Sequence, residues 1–145
     1  MSDYRFCVSL HVSHPDMELD EFTDLTGLRP FRVWRRGEPR VSPKGTPLEG
    51  FYKYNSWAAR THEEEHLFSS ELSLEDYIAQ LNQRFLQHKN KFAEIVGDGG
   101  YIEYFIGWFS EGNISATLEP KLMQNTAELN IAIGLDVYAY EENII

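Results

Sequence analysis

From Tyr4 to Val12 apolar and polar residues alternate, with Tyr4, Phe6, Val8, Leu10 and Val12 on one side and Arg5, Cys7, Ser9 and His11 on the other. A period of two places the apolar set on one face of a strand, so the chain opens with a strand that buries one side. The period then changes. After His14-Pro15-Asp16, Leu19, Phe22 and Leu25 recur at helical spacing, and Asp16, Glu18, Asp20 and Glu21 cluster where a helix dipole favours negative charge. Gly27 ends this short helix. Residues 31–36 and 51–58 read as two further strands, separated by a loop that holds Gly37, Pro39, Pro43, Gly45, Pro47 and Gly50. Residues 60–70 are polar and irregular.

The strongest helical pattern follows. Ser73 is placed to cap it, with Asp76 three residues on, and Leu74, Tyr77, Ile78, Leu81, Phe85, Phe92, Ile95 and Val96 form its apolar stripe before Gly97-Asp98-Gly99-Gly100 stops it. Residues 101–109 are apolar on both faces, with Tyr101, Phe105 and Phe109 opposite Ile102, Tyr104, Ile106 and Trp108, which predicts an interior strand. A brief strand is expected over 114–118. Pro120 suits the first position of a short helix ending near Leu129, and Ile131, Ile133, Leu135, Val137 and Ala139 alternate as a last strand. The predicted fold class is α+β: an antiparallel or mixed sheet of about five strands with helices on one face, ferredoxin-like, as β-α-β-β-α-β plus a C-terminal helix and strand.

Length and composition fit one domain over residues 1–145, since 145 residues with 42% hydrophobic side chains suffice for a single core. The one cysteine, Cys7, excludes an internal disulfide and a thiolate metal cluster, as expected of a reducing compartment. The N-terminus lacks the pattern of a signal peptide, and no apolar run reaches the roughly 18 residues of a membrane span. A cytoplasmic location and no membrane partner are therefore expected. The net charge of −10 argues against a phosphate backbone, so no nucleic-acid partner is expected. The charge is uneven, however. Residues 29–44 hold six of the thirteen basic residues and one acid, Glu38, so this stretch is +5 and the remainder −15.

Candidate chemistry is sparse. His62-Glu63-Glu64-Glu65-His66 matches H-E-x-x-H, but zinc binding by that motif needs a buried helix, and these residues are too polar for one; they read as a solvated acidic loop. No metal and no cofactor are expected. Cys7 alternates within a strand, and no serine occupies a G-x-S-x-G elbow, so no nucleophile stands out. Glu103 and Asp136 are the carboxylates set among apolar strand residues. The remaining constellation is Phe31-Arg32-Val33-Trp34-Arg35-Arg36-Gly37-Glu38-Pro39-Arg40, a strand running into a Gly/Pro turn with arginines around a tryptophan, of which Trp34, Arg35, Arg36 and Arg40 are the candidate binding residues. Arginine forks suit carboxylates and tryptophan offers a stacking face. These arginines either neutralise the chain's own acids, with Trp34 in the core, or form a recognition surface joined by Trp57 and Trp108.

The order Leu25-Thr26-Gly27-Leu28-Arg29-Pro30, Trp34-Arg35-Arg36-Gly37-Glu38-Pro39-Arg40, Trp57, Gly107-Trp108-Phe109, the segment 118–129 and Leu135-Asp136-Val137-Tyr138 resembles the bacterial domain of unknown function 4279 family over nearly the whole chain. That resemblance implies a compact α+β domain without an established activity. H-E-x-x-H is not among the family's shared features. The expected function is a small binding or interaction domain without a catalytic site, its partner a protein or a small anionic ligand. Alternatives are an immunity-type protein that neutralises a basic toxin enzyme, and an enzyme or sensor for an anionic metabolite held by Arg35, Arg36 and Arg40 with Glu103 or Asp136 as acid or base. The two-sided apolarity of 101–109 also suggests a homodimer.

Overall fold

A computed structural model of the chain describes residues 3–139; Met1, Ser2 and residues 140–145 of the expected domain lie outside them. The opening alternation forms β1 (Arg5–His14), with Phe6, Val8, Leu10 and Val12 sealed on one face. Helix α1 (Glu21–Thr26) starts one turn later than the apolar spacing suggested and stops where Gly27 turns left-handed at φ 73°. Strand β2 (Pro30–Trp34) follows. The segment expected to be a loop is instead a two-stranded ribbon, β3 (Pro39–Val41) paired antiparallel with β4 (Pro47–Phe51). Its turn closes through Gly45, whose N–H donates to Ser42 O (2.8 Å) at a φ of 85° that favours glycine. The chain then returns to the sheet as β5 (Asn55–Arg60) and the two-residue β6 (Leu67–Phe68).

The long helical stripe is interrupted. Helix α2 (Leu74–Phe85) begins with the predicted cap, Asp76 N–H donating to Ser73 Oγ (3.1 Å), and a 3₁₀ turn at Leu86–His88 separates it from α3 (Lys89–Gly97). Phe85 and Phe92 are nevertheless both fully buried, because the tighter turn redirects the chain without exposing the stripe. Strand β7 (Tyr101–Ser110), α4 (Pro120–Glu128, Pro120 at its start) and β8 (Ile131–Ala139) complete the chain. Residues 114–118 do not form the expected strand. Ile114, Ala116 and Leu118 pack against the core as partly buried side chains without ladder pairing.

The main sheet has six strands in the order β2-β5-β1-β7-β8, with β6 pairing the start of β1. It is mixed: β2, β5, β1 and β7 are antiparallel to their neighbours, whereas β8 lies parallel to β7 after the α4 crossover. The sixth strand, β6, and the separate ribbon are what the sequence did not predict. Register decides which face each residue takes. Phe6, Val8, Leu10 and Val12 lie beside Trp108, Ile106, Tyr104 and Ile102, and Val12 also lies beside Trp57. This face receives Phe22 of α1, Leu74, Ile78, Leu81 and Phe85 of α2, and Phe92 and Ile95 of α3, so the core lies between sheet and helices. Its polar atoms are paired inside: Tyr104 OH donates to Asn82 Oδ1 (2.9 Å), and Asn82 Nδ2 donates to Thr126 Oγ1 (2.8 Å). Burial pushes the Tyr104 phenol far up from its ordinary value. Among the described residues, no helix is long and apolar enough to cross a membrane.

Candidate functional site

The opposite face of the sheet carries the other parity: Arg32 and Trp34 of β2, Ala58 of β5, His11 of β1, and Glu103, Phe105 and Phe109 of β7. From Trp34 onward β2 leaves the sheet. Gly37 N–H donates to Tyr52 O (2.9 Å) and Tyr52 N–H to Glu38 O (3.0 Å), so the pairing of β2 with β5 runs on into the β3–β4 ribbon. Tyr52 fixes the junction. Its ring stacks on Trp34 at 4.7 Å and 13°, and its hydroxyl accepts from Val41 N–H (3.2 Å) and donates to Val41 O (3.3 Å).

The ribbon and the open end of β2 enclose a concavity of about 740 Å³. Arg32, Trp34, Arg40, Leu48, Phe51, Tyr52, Lys53 and Tyr54 are among its lining side chains, which among the described residues include three cations and no acid. The Arg32 guanidinium lies 4.2 Å from the Trp34 ring centroid, and its Nη2 reaches Ser56 Oγ at 3.4 Å. Burial lowers its pKa, the nearby Tyr54 and Tyr52 phenols opposing this weakly, and its Nε is buried without a hydrogen-bond partner. Arg40 donates to a backbone carbonyl, Glu49 O (3.1 Å). Among the described residues no carboxylate lies within 4.0 Å of Arg32, Arg40 or Lys53.

The six residues singled out from sequence are therefore divided. Trp34 and Arg40 line the concavity. Arg35 donates to Asp20 Oδ1 (2.7 Å), which raises its pKa, and Arg36 is bonded to Asp16; both are exposed ion pairs that tie β2 to the start of α1. Trp57 is fully buried on the helix side, with Nε1 donating to Thr23 Oγ1 (3.2 Å) and its ring 5.6 Å from Phe22. Trp108 is buried on that same face, edge-on to Tyr4 at 5.1 Å. The three indoles do not converge. Arg32, Phe51, Lys53 and Tyr54 also line the concavity; Arg32 lies in the basic stretch 31–40 and its parity with Trp34 was the available signal for choosing it, whereas Phe51, Lys53 and Tyr54 fall in a segment that reads only as a strand.

The other constellations stay apart. Glu103 accepts from Tyr101 OH (2.9 Å) and Asp136 from Tyr138 OH (2.5 Å). They sit opposite Ala132 and Gly107, four rungs apart and thus separated by about 13 Å, with β5 and β1 between them and β2. Neither carboxylate is the partner of Arg35, Arg36 or Arg40, which bond to Asp20, Asp16 and Glu49 O. Residues 61–65 form bends and His66 lies in irregular chain, not in the helix that H-E-x-x-H requires. His62 Nε2 accepts from Val8 N–H (3.0 Å) and Nδ1 donates to Glu64 O (2.8 Å); burial, foremost, lowers its pKa. His66 instead meets Phe109 edge-on at 5.0 Å. Among the described residues no group of three His, Cys, Asp or Glu side chains could hold a metal ion.

No curated protein and no solved structure matches the chain. A family model does match, over residues 2–140, and the chain belongs to that family, described as Domain of unknown function (DUF4279).

Proposed function

We propose that this chain is a non-enzymatic binding domain of a bacterial cytoplasm, and that the concavity between β2 and the ribbon receives an anionic group. The fold is read as a ferredoxin-like β-α-β-β-α-β unit, in which β5 lies between the parallel strands β1 and β2 and antiparallel to both, extended by α4 and β8. One observation carries the reading. In a chain with 23 acids and 13 bases, Arg32 is half-buried on an aromatic floor without a carboxylate, although Arg35 and Arg36 three and four residues on are both paired. A guanidinium withdrawn from water without a counter-ion is costly, and an incoming carboxylate or phosphate restores the missing partner.

The test is an NMR titration with citrate and with inorganic pyrophosphate. Shift changes centred on the Trp34 indole and the Arg32 and Arg40 side chains, reduced at least threefold in Arg40→Gln, are expected. Changes scattered over the surface with no preference for these residues would refute the reading.

A further inference from the structure

Resting on the reading of the cradle as an anion site, we infer that its occupant is an extended acidic segment of a partner polypeptide, with an aliphatic or aromatic anchor set among its carboxylates. Shape is the first argument. A small-molecule site encloses most of its ligand, but this cradle is walled by side chains that stand in solvent: Phe51 is 62% exposed, Tyr54 48%, Val41 44% and Leu48 43%. Every residue of β3 and β4 is exposed, so the ribbon has no core of its own. It is held by the Tyr52 stack and hydroxyl and by the Arg40 contact. A two-stranded ribbon is marginal in water, and a partner laid along it would supply the burial it lacks.

Length is the second. The ribbon's longer strand, β4, runs from Pro47 to Phe51, about 17 Å at the usual rise per residue. At the other end the cradle shares Lys53 and Tyr54 with a second concavity of about 240 Å³ beside Ser13, His14 and Gly99. The combined trough, which follows β4 and continues past Tyr54, matches an extended segment better than a compact metabolite. Composition is the third. Tryptophan, tyrosine and arginine are the residues that anchor protein interfaces, and Phe51 and Tyr54 offer ring faces that no other ring of the described residues occupies.

Charge selects the sign and the size of the partner. Arg32, Arg40 and Lys53 face the trough with no acid among them, while the chain as a whole is at −10. At physiological salt charges beyond about 8 Å are screened, so the body's acids act weakly on a narrow segment seated in the cradle, and contact pairs survive. A broad acidic surface would instead meet the acidic body directly.

The experiment is fluorescence anisotropy with labelled octapeptides at physiological salt. One alternates Asp and Glu with a central Leu-Trp, a second has Asn and Gln in place of the acids, and a third has Lys. The acidic peptide is expected to bind at least tenfold tighter than the amide peptide and than citrate or AMP used as competitors, with the Lys peptide silent. Arg40→Glu and Lys53→Glu, both at exposed positions outside the sealed core, should each weaken it about tenfold, and Lys53→Glu does so without touching the Arg40 contact that helps to hold the ribbon. Equal binding of acidic and amide peptides, or no loss in either variant, overturns the inference. If citrate or AMP binds in the cradle and the peptide does not, the segment is refuted while the anion site stands; if neither binds, both fall.

Discussion

The two faces of the main sheet are cut from the same strands, yet they are finished in opposite ways. On the helix side Phe6, Val8, Leu10, Trp57, Tyr104 and Ile106 are sealed, and most polar groups among them have protein partners, as in the Tyr104–Asn82–Thr126 chain. On the other side, Phe31 and Phe105 keep exposed rings, His11 Nε2 and Arg32 Nε are buried without partners, and the ribbon projects apolar side chains into water. The first face has spent its bonding capacity on folding. The second keeps cations and rings unspent, which is what a recognition surface requires.

The largest expected effect breaks this contrast most directly. Phe85 is fully buried between Phe92 and Tyr104, so Phe85→Ala leaves a cavity and should cost about 3–5 kcal/mol. Phe51→Ala removes a ring of the same size from the ribbon and should change stability by about 0.5 kcal/mol or less. Urea denaturation of both variants checks the pair. Comparable losses would mean that the ribbon is part of the folding core.

The same contrast explains what was legible in the sequence. β1 and β8 announce themselves by period two, β7 by apolar residues on both faces, and α2 by Ser73 and its stripe; in β1 and α2 the pattern is the one that burial imposes on residue choice. The ribbon imposes none: with all its positions exposed, prolines and glycines were the only signal, and they read as a loop. Trp108 could have been assigned to the core from its parity with Ile102, Tyr104 and Ile106. The pairing of Arg35 with Asp20 and of Arg36 with Asp16 could not, because it depends on where α1 comes to rest beside β2, and no local periodicity encodes that approach.

A second test sharpens the sealed side. Asn82→Ala deprives the buried Tyr104 hydroxyl of its acceptor and the buried Thr126 of its donor, for an expected loss of about 2 kcal/mol. Tyr104→Phe in the same background should recover part of that loss, since the stranded hydroxyl is then gone; a double-mutant cycle by thermal denaturation measures the coupling, and strict additivity would contradict the proposed chain.

The open side should show itself in acid. The His11 ring stacks on Phe105 at 4.8 Å, with Arg32 from β2 and Glu103 from β7 as the charged groups facing it, and burial, then Arg32, lower its pKa from 6.5 to about 4. The unfolded chain thus takes up the proton first as pH falls. Stability from this group is complete above about pH 6.5 and is lost between there and pH 4, by about 1–2 kcal/mol once screening of the half-buried ring is allowed for. His62 and His88, also lowered mainly by burial, act in the same sense, so His11→Phe should flatten the curve only in part. A pH series of denaturation midpoints unchanged by His11→Phe would place His11 in water.

The smallest effect separates two arginines of the same strand-and-ribbon path. Arg36 is exposed and bonded to Asp16, and exposed pairs contribute little, so Arg36→Gln should shift stability by about 0.5 kcal/mol or less. Arg40 has only a backbone carbonyl, and Arg40→Gln should be equally mild. Their difference appears with a ligand. Because Asp16 already holds Arg36 outside the cradle, its removal should leave citrate-induced shifts at Trp34 unchanged, whereas removal of Arg40 takes away a charge that faces the ligand. Identical titrations for the two variants would mean that the anion responds to the general basicity of residues 29–44 and not to the cradle that the ribbon builds.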